Sequence, residues 1–178
     1  MSFATDSIHT HCTAQATIAS PLGPVLLART AAGLAGAWFE GQQHHPGALA
    51  APEQPTDALL QEAAQQLQAY FDGARSTFEL PLDLQGTAFQ RSVWQALQRI
   101  APGATCSYAD IAAALGTPSA VRAVGGAVGR NPVSVIVPCH RVVGRDGSLT
   151  GYAGGVDRKR ALLRLEQVAH AAPLTMAA

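Results

Sequence analysis

The sequence predicts a two-part α/β protein, with strands and one helix in its first half and mainly helices in its second. Three observations point there. Residues 13–39 carry short strand-like runs broken by turn residues. From Phe89 onward the apolar residues recur at helical spacing instead. The charge also divides: residues 1–85 hold two arginines against eight acids, a net −6, while residues 86–178 hold ten basic groups against four acids, a net +6. A chain of 178 residues suits one domain or two small ones. We place the boundary near residue 85, giving domains 1–85 and 86–178.

In the first domain Thr13–Ser20 reads as a strand, Pro21-Leu22-Gly23-Pro24 as a turn and Val25–Arg29 as a second strand. Ala31-Ala32-Gly33 turns the chain into Leu34–Phe39, completing an antiparallel meander. Residues 41–55, rich in Pro, Gly, Gln and His, read as a loop. Thr56 is the expected cap of a helix whose Leu59, Leu60, Ala63, Leu67, Tyr70 and Phe71 share a face, ending near Gly73.

In the second domain Phe89, Val93, Trp94, Leu97 and Ile100 form an apolar stripe, which Ala101-Pro102-Gly103 ends. Ser107 is the expected cap of a short helix through Leu115. Gly116-Thr117-Pro118 then turns into another helix starting near Ser119, the outline of a helix-turn-helix. Asp157 is expected to cap the last helix, which runs to about Ala169.

Several function classes recede on composition. No charged leader with an apolar core opens the chain, and no apolar run reaches membrane-spanning length. Three cysteines, Cys12, Cys106 and Cys139, do not make a disulfide framework, so reduced thiols and a cytoplasmic location are expected. No P-loop pattern is present, and the nearby His9, His11 and Cys12 do not have four-ligand zinc spacing; neither a phosphate cradle nor a metal is expected. An acidic half joined to a basic half suggests that only the second meets a polyanion.

The chemistry gathers in Val137-Pro138-Cys139-His140-Arg141-Val142-Val143. A free thiol with a pKa of about 8.5 is only a few per cent thiolate at neutral pH, and the thiolate is the nucleophile. Here a base and a permanent cation follow the cysteine directly, the usual means of raising that fraction. In an extended chain Cys139 and His140 would point apart, so a direct bond needs a turn, and otherwise a water bridges them. Glu166 falls on the same helix face as Leu162 and Leu163. Its carboxylate either orients His140 or pairs with a nearby arginine. Arg122 opens a helix of small residues, Ala123-Val124-Gly125-Gly126-Ala127-Val128-Gly129, which suits close approach of its backbone to a neighbour or ligand. Asn131 before Pro132 marks a helix end, and Tyr108 is either a core aromatic or a phenol donor.

Together these residues resemble the O6-alkylguanine-DNA alkyltransferases, the methylated-DNA–protein-cysteine methyltransferases. The resemblance rests on Pro-Cys-His-Arg-Val at 138–142, Arg-Ala-Val-Gly-Gly-Ala at 122–127, Asn131-Pro132, Gly151-Tyr152 and Leu162-Leu163 ahead of Glu166. Ser20-Pro21-Leu22-Gly23 and Trp38-Phe39 extend it through the first half. Gly-Tyr-Ala-Gly-Gly at 151–155 looks most like the bacterial constitutive Ogt type.

The resemblance implies a ribonuclease-H-like α/β domain followed by a helical domain with a winged-helix-like DNA-binding element. It implies single-turnover, cofactor-free transfer of an alkyl group from O6-alkylguanine, and from O4-alkylthymine, in double-stranded DNA to Cys139. His140 would act as base through a water, Glu166 would orient it, Asn131 would hold the site's turn, and Tyr108 would assist the leaving base. Arg122 would fill the stack vacated by the flipped nucleotide, with Ser107, Tyr108, Ala123, Gly125 and Arg130 also on DNA. Pro138, Val142, Tyr152 and Ala153 would line the pocket, the Val142 and Cys139 carbonyls accepting the guanine amine and the Ala153 N–H reaching O6. A monomer in solution is implied, with cooperation on DNA left open.

Overall fold

The structure, a computed structural model, describes residues 8–167. By its contacts the chain gathers into two units: one runs to Thr87 and takes in Pro132–Ile136, and the other holds Ala88–Asn131 and resumes at Val137.

The first unit is built on an antiparallel sheet of β1 (Ala14–Ile18), β2 (Val25–Arg29) and β3 (Leu34–Phe39), in that order. Ser20 Oγ donates to the Gly23 carbonyl at 2.6 Å and closes the β1–β2 turn, with Gly23 at φ 104°. Every residue of β3 is buried, although β3 is the last strand of the ladder. Its outer edge is covered by irregular backbone. Leu34 N–H donates to the Pro81 carbonyl at 2.8 Å, and Ala37 N–H to the Pro132 carbonyl at 2.9 Å. An edge paired in this way offers no template to another strand. Gly36 is required here, because a Cβ would stand 1.7 Å from the Trp38 ring.

Helix α1 (Ala58–Phe71) buries Leu60, Ala63, Leu67 and Tyr70 of the expected face, while Leu59 and Phe71 at its two ends are half-buried. Its cap is Asp57 rather than the expected Thr56. The Asp57 carboxylate accepts from the Leu59 and Leu60 N–H groups at 3.0 and 3.1 Å and meets Arg29 Nη1 at 3.1 Å. Thr56 has no second charge to offer that arginine. These hydrogen bonds and the arginine hold the Asp57 carboxyl below its usual range, against the opposing effect of burial.

The second unit starts with α2 (Ala88–Leu97), which buries Val93, Trp94 and Leu97. A two-residue strand β4 (Cys106–Ser107) leads into α3 (Tyr108–Ala114), and a turn through Gly116 leads into α4 (Val121–Gly129). Ser107 does cap α3, in a reciprocal capping box with Asp110. Helix α4 begins two residues later than expected and has no side-chain cap. The indole N–H of Trp94 donates to the Ala127 carbonyl at 2.8 Å, joining α2 to α4.

After α4 the chain reaches a single 3-10 turn at Cys139–Arg141 and then β5 (Val142–Val143), which pairs in parallel with β4. Helix α5 (Val156–Leu165) follows. Its N-cap is Gly155 at φ 89°, not Asp157. Asp157 sits inside the first turn, where its charge complements the helix dipole. The expected end near Ala169 lies outside the described residues; α5 stops at Leu165 with Glu166 as its C-cap. Among the described residues no helix is long and apolar enough to cross a membrane.

Candidate active site

The 3-10 turn decides how the cysteine is presented. Pro138 has φ −82° and ψ 62°, and the Cys139 N–H donates back to the Val137 carbonyl at 2.8 Å. That is an inverse γ-turn centred on proline. Val135, at φ 72° with Ile136 N–H donating to the Ser134 carbonyl at 2.9 Å, centres the mirror-image turn just before it. A β-branched residue at positive φ is strained, and it stands four residues before the thiol.

Cys139 is buried, at 3% exposure. Its sulfur accepts from Asn131 Nδ2 at 3.0 Å, and the same nitrogen donates to the Val137 carbonyl at 2.8 Å. Asn131 thus ties the end of α4 to the backbone and sulfur of the site. His140 is fully buried and bonds through Nε2 to Glu166 Oε1 at 2.8 Å. A carboxylate only accepts, so Nε2 carries the proton and Nδ1 is the free base. Nδ1 has no hydrogen-bond partner among the described residues. Cys139 and His140 share no direct hydrogen bond among those residues, in keeping with divergent neighbouring side chains.

Arg141 takes the same carboxylate from the other side. Its Nε meets Glu166 Oε2 at 2.9 Å and its Nη2 meets Oε1 at 2.8 Å, while Nη1 donates to the Ile100 carbonyl. The two readings of Glu166, orienting His140 or pairing with an arginine, therefore both hold. This arrangement corrects the expected electrostatics of the thiol. The Arg141 charge is spent on Glu166, and burial pushes the Cys139 thiol up, outweighing the lowering effects of Asn131 and Lys159. Burial likewise pushes His140 below the usual imidazole range, with Glu166 opposing it. At rest the pair is neutral thiol and neutral imidazole, not a standing thiolate.

The remaining expected residues lie in the same unit. Tyr108, half-buried at the start of α3, donates its hydroxyl to the Thr150 carbonyl at 3.2 Å, and burial pushes its phenol up. Val142 and Ala153 are buried and Tyr152 is half-buried. Arg122 and Ala123 are exposed on the first turn of α4. Arg130 caps the other end of that helix, its Nη1 reaching the Gly126 carbonyl at 3.3 Å. The glycines of α4 answer to no tight internal packing. A Cβ on Gly125 would stand 3.9 Å from the Tyr108 ring, an ordinary contact, and one on Gly129 would meet nothing.

The comparisons with known proteins place the chain in a family. The 6-O-methylguanine DNA methyltransferase ribonuclease-like domain matches residues 14–84, and the same family's DNA binding domain matches residues 88–168. The chain belongs to this methyltransferase family. The two-domain α/β architecture read from the sequence is the family's own. A methylated-DNA–protein-cysteine methyltransferase of Mycobacterium tuberculosis is 47% identical over 160 residues, covering 90% of this chain and 96% of that one. The constitutive methyltransferase of Bacillus subtilis is 57% identical over 112 residues, covering 62% and 68%. The crystal structure of M. tuberculosis OGT in complex with DNA superposes with a TM-score of 0.82 at 46% identity, covering 87% of this chain and 93% of that one.

Two methyltransferase residues escaped the sequence reading. Arg141 registered only as a nearby charge, not as the second clamp on Glu166. Lys159 was not singled out at all. It is fully buried, and its Nζ donates to the carbonyls of Val142 at 2.5 Å, Thr150 at 2.9 Å and Gly151 at 3.1 Å. One signal could have found it: it is the only lysine in an arginine-rich chain, three residues ahead of Leu162.

Proposed function

We propose that this protein repairs DNA by direct reversal, moving the alkyl group of O6-alkylguanine in duplex DNA onto Cys139 once and irreversibly. The observation that carries the reading is the Asn131–Cys139 contact beside the His140–Glu166 pair, in a chain of this family. In the reaction the Cys139 proton passes through a water to His140 Nδ1. The sulfur attacks the alkyl carbon, an S–C bond forms and the C–O6 bond breaks. The electron pair stays on the base, which the Tyr108 hydroxyl holds as a hydrogen-bond donor and which becomes guanine by taking up the proton that the imidazolium returns through water. Until then the imidazolium is stabilised by Glu166.

O4-alkylthymine is a second substrate on the same chemistry, since it too offers an alkyl carbon on a carbonyl-derived oxygen. The base reaches Cys139 by leaving the stack, at a cost of a few kcal/mol that a poorly pairing lesion lowers. Arg122 fills the gap, and the open sides of Ala123 and Gly125 on α4 let the helix approach the DNA, with Ser107 and Arg130 at its flanks. Pro138, Val142, Tyr152 and Ala153 enclose the base. The division near residue 85 assigns all of this to the basic 86–178 segment. The protein acts as a monomer in the cytoplasm, without cofactor or metal.

The test is the intact mass after incubation with duplex DNA carrying one O6-methylguanine, followed by peptide mapping. A stoichiometric gain of one methyl group on Cys139, with guanine restored, is expected. Tight lesion binding with no gain in mass would instead make this a damage-binding protein.

A further inference from the structure

Lys159 is a buried cation without a carboxylate partner among the described residues. Full burial of a charge is tolerated when the charge is paired or its donors are spent. All three ammonium protons are spent on carbonyls, those of Val142, Thr150 and Gly151. Carbonyl dipoles satisfy the protons but leave the charge without a counter-ion. Arg141, nearer to Cys139 in sequence, has its counter-ion in Glu166, which it grips through two nitrogens. Of the two buried cations of this site, Lys159 is therefore the one with charge left to offer.

The anion that matches it forms during the reaction. When Cys139 gives its proton to His140, the imidazolium stands against Glu166 and the thiolate stands unpaired unless Lys159 answers it. The electrostatics run in that direction: Lys159 pulls the thiol down, and Cys139 supports the charged lysine. The ammonium also has a geometric role. It clips the Thr150–Gly151 backbone to β5, and the Thr150 carbonyl is the one that holds the Tyr108 hydroxyl. We propose that Lys159 is a positioning residue for alkyl transfer, the counter-ion of the Cys139 thiolate and the clip that sets the Tyr108 hydroxyl through Thr150. This rests on the transfer reaction proposed above.

The lysine titrates near the working range. Burial lowers it to about 8, with Cys139 opposing the shift. The titratable groups that face it are Cys139 and His140 on the 3-10 turn, with Tyr108 of α3 reaching it through the Thr150 carbonyl.

Because it is the only lysine, the full-length protein labelled with 13Cε-lysine gives one resonance to titrate. Cys139 alkylation by iodoacetamide, read on the Cys139 peptide, should rise with pH and level off where that resonance titrates, because the thiolate loses its counter-ion there. A rise that passes through the lysine titration without bending would overturn the counter-ion role. Lys159→Gln should shift the pH dependence of Cys139 alkylation upward and slow methyl transfer about tenfold or more, the usual size of effect when a close opposite charge is lost. Affinity for lesion DNA should stay within about twofold, because Lys159 is fully buried and cannot itself meet a phosphate. Lys159→Arg should restore the alkylation profile by keeping the charge. Wild-type alkylation behaviour in Lys159→Gln, or a rate loss in the folded variant matched by lost DNA affinity, would sink the proposal. Should Lys159→Gln fail to fold, the labelled wild-type titration still decides it. If the wild-type protein transfers no methyl group, the proposed function fails, while alkylation and titration still judge the pairing.

Discussion

Arg141 grips Glu166 with two nitrogens, Nε to Oε2 at 2.9 Å and Nη2 to Oε1 at 2.8 Å, while Oε1 also accepts from His140. The carboxylate is therefore fixed in orientation, and with it the tautomer of the imidazole. A fixed carboxylate holds Nδ1 as the base without drawing the proton to itself.

Replacing Glu166 by Gln should break both functions at once. The amide NH2 would meet the Arg141 Nε–H donor where Oε2 now accepts, and the neutral group leaves the Arg141 charge buried and unpaired. Losing one partner of a buried pair typically costs about 3–5 kcal/mol. Urea denaturation should show a loss of that order, and single-turnover transfer should fall by about a hundredfold or more, the lower end of what a positioned base contributes. Arg141→Lys should fall between, since an ammonium cannot reproduce the two-pronged contact. A Glu166→Gln protein with wild-type stability and rate would refute the shared-carboxylate account.

The acid side of the stability curve should carry the mark of His140. Burial pushes its native pKa below the unfolded value of about 6.5, so below that pH the unfolded chain binds a proton that the native protein refuses. Stability from this group is complete above about pH 6.5 and declines as the pH falls beneath it. The Asp57 and Asp110 carboxyls, held below their usual range, come into play only at lower pH. Thermal melts from pH 7.5 to 5.5 should show a falling Tm in the wild-type protein and a flatter profile in His140→Gln, each compared with its own value at pH 7.5. Parallel profiles would argue that the imidazole is charged in the native state.

The sequence carried the sheet and the helices well, for a physical reason. Meander strands and amphipathic helices are encoded locally, by alternation, by helical spacing and by turn residues such as Gly23 and Gly116. The caps were less legible. Thr56 and Asp57 are both good capping residues, and only the distant Arg29 selects between them. The site divided in the same way. Cys139, His140 and Glu166 could be read from motif and helix face, whereas the clamp of Arg141 on Glu166 joins positions 25 residues apart. Lys159 shows in the sequence only as a lone lysine, because the three backbone carbonyls it bonds leave no mark in any side-chain pattern.

Arg122 should separate folding from DNA capture. It is exposed on the first turn of α4, so Arg122→Ala should leave stability unchanged to within about 0.5 kcal/mol. Cys139 alkylation by a small reagent should also be unchanged. Repair of duplex DNA should slow about tenfold or more, since a lost group that stabilises the flipped state is worth a few kcal/mol. Fluorescence of a 2-aminopurine placed beside the lesion reports extrusion directly. Equal extrusion and repair in both proteins would remove Arg122 from the mechanism.

Alkylation should loosen the product. The Cys139 sulfur accepts from Asn131 Nδ2 at 3.0 Å in a site only 3% exposed, and that nitrogen also holds the Val137 carbonyl at 2.8 Å. A methyl group on the sulfur adds volume to a packed niche, at a typical cost of about 1–3 kcal/mol, and a thioether is a weak acceptor for the Asn131 amide. The Tm of the methylated protein should therefore lie below that of the unmodified protein. Asn131→Ala removes the amide beforehand, at a cost of about 1–3 kcal/mol for the hydrogen bonds it strands. Methylation should then lower its Tm by less than it lowers the wild type's, because the two changes act on one contact. If methylation lowers both by the same amount, the strain lies elsewhere than at Asn131.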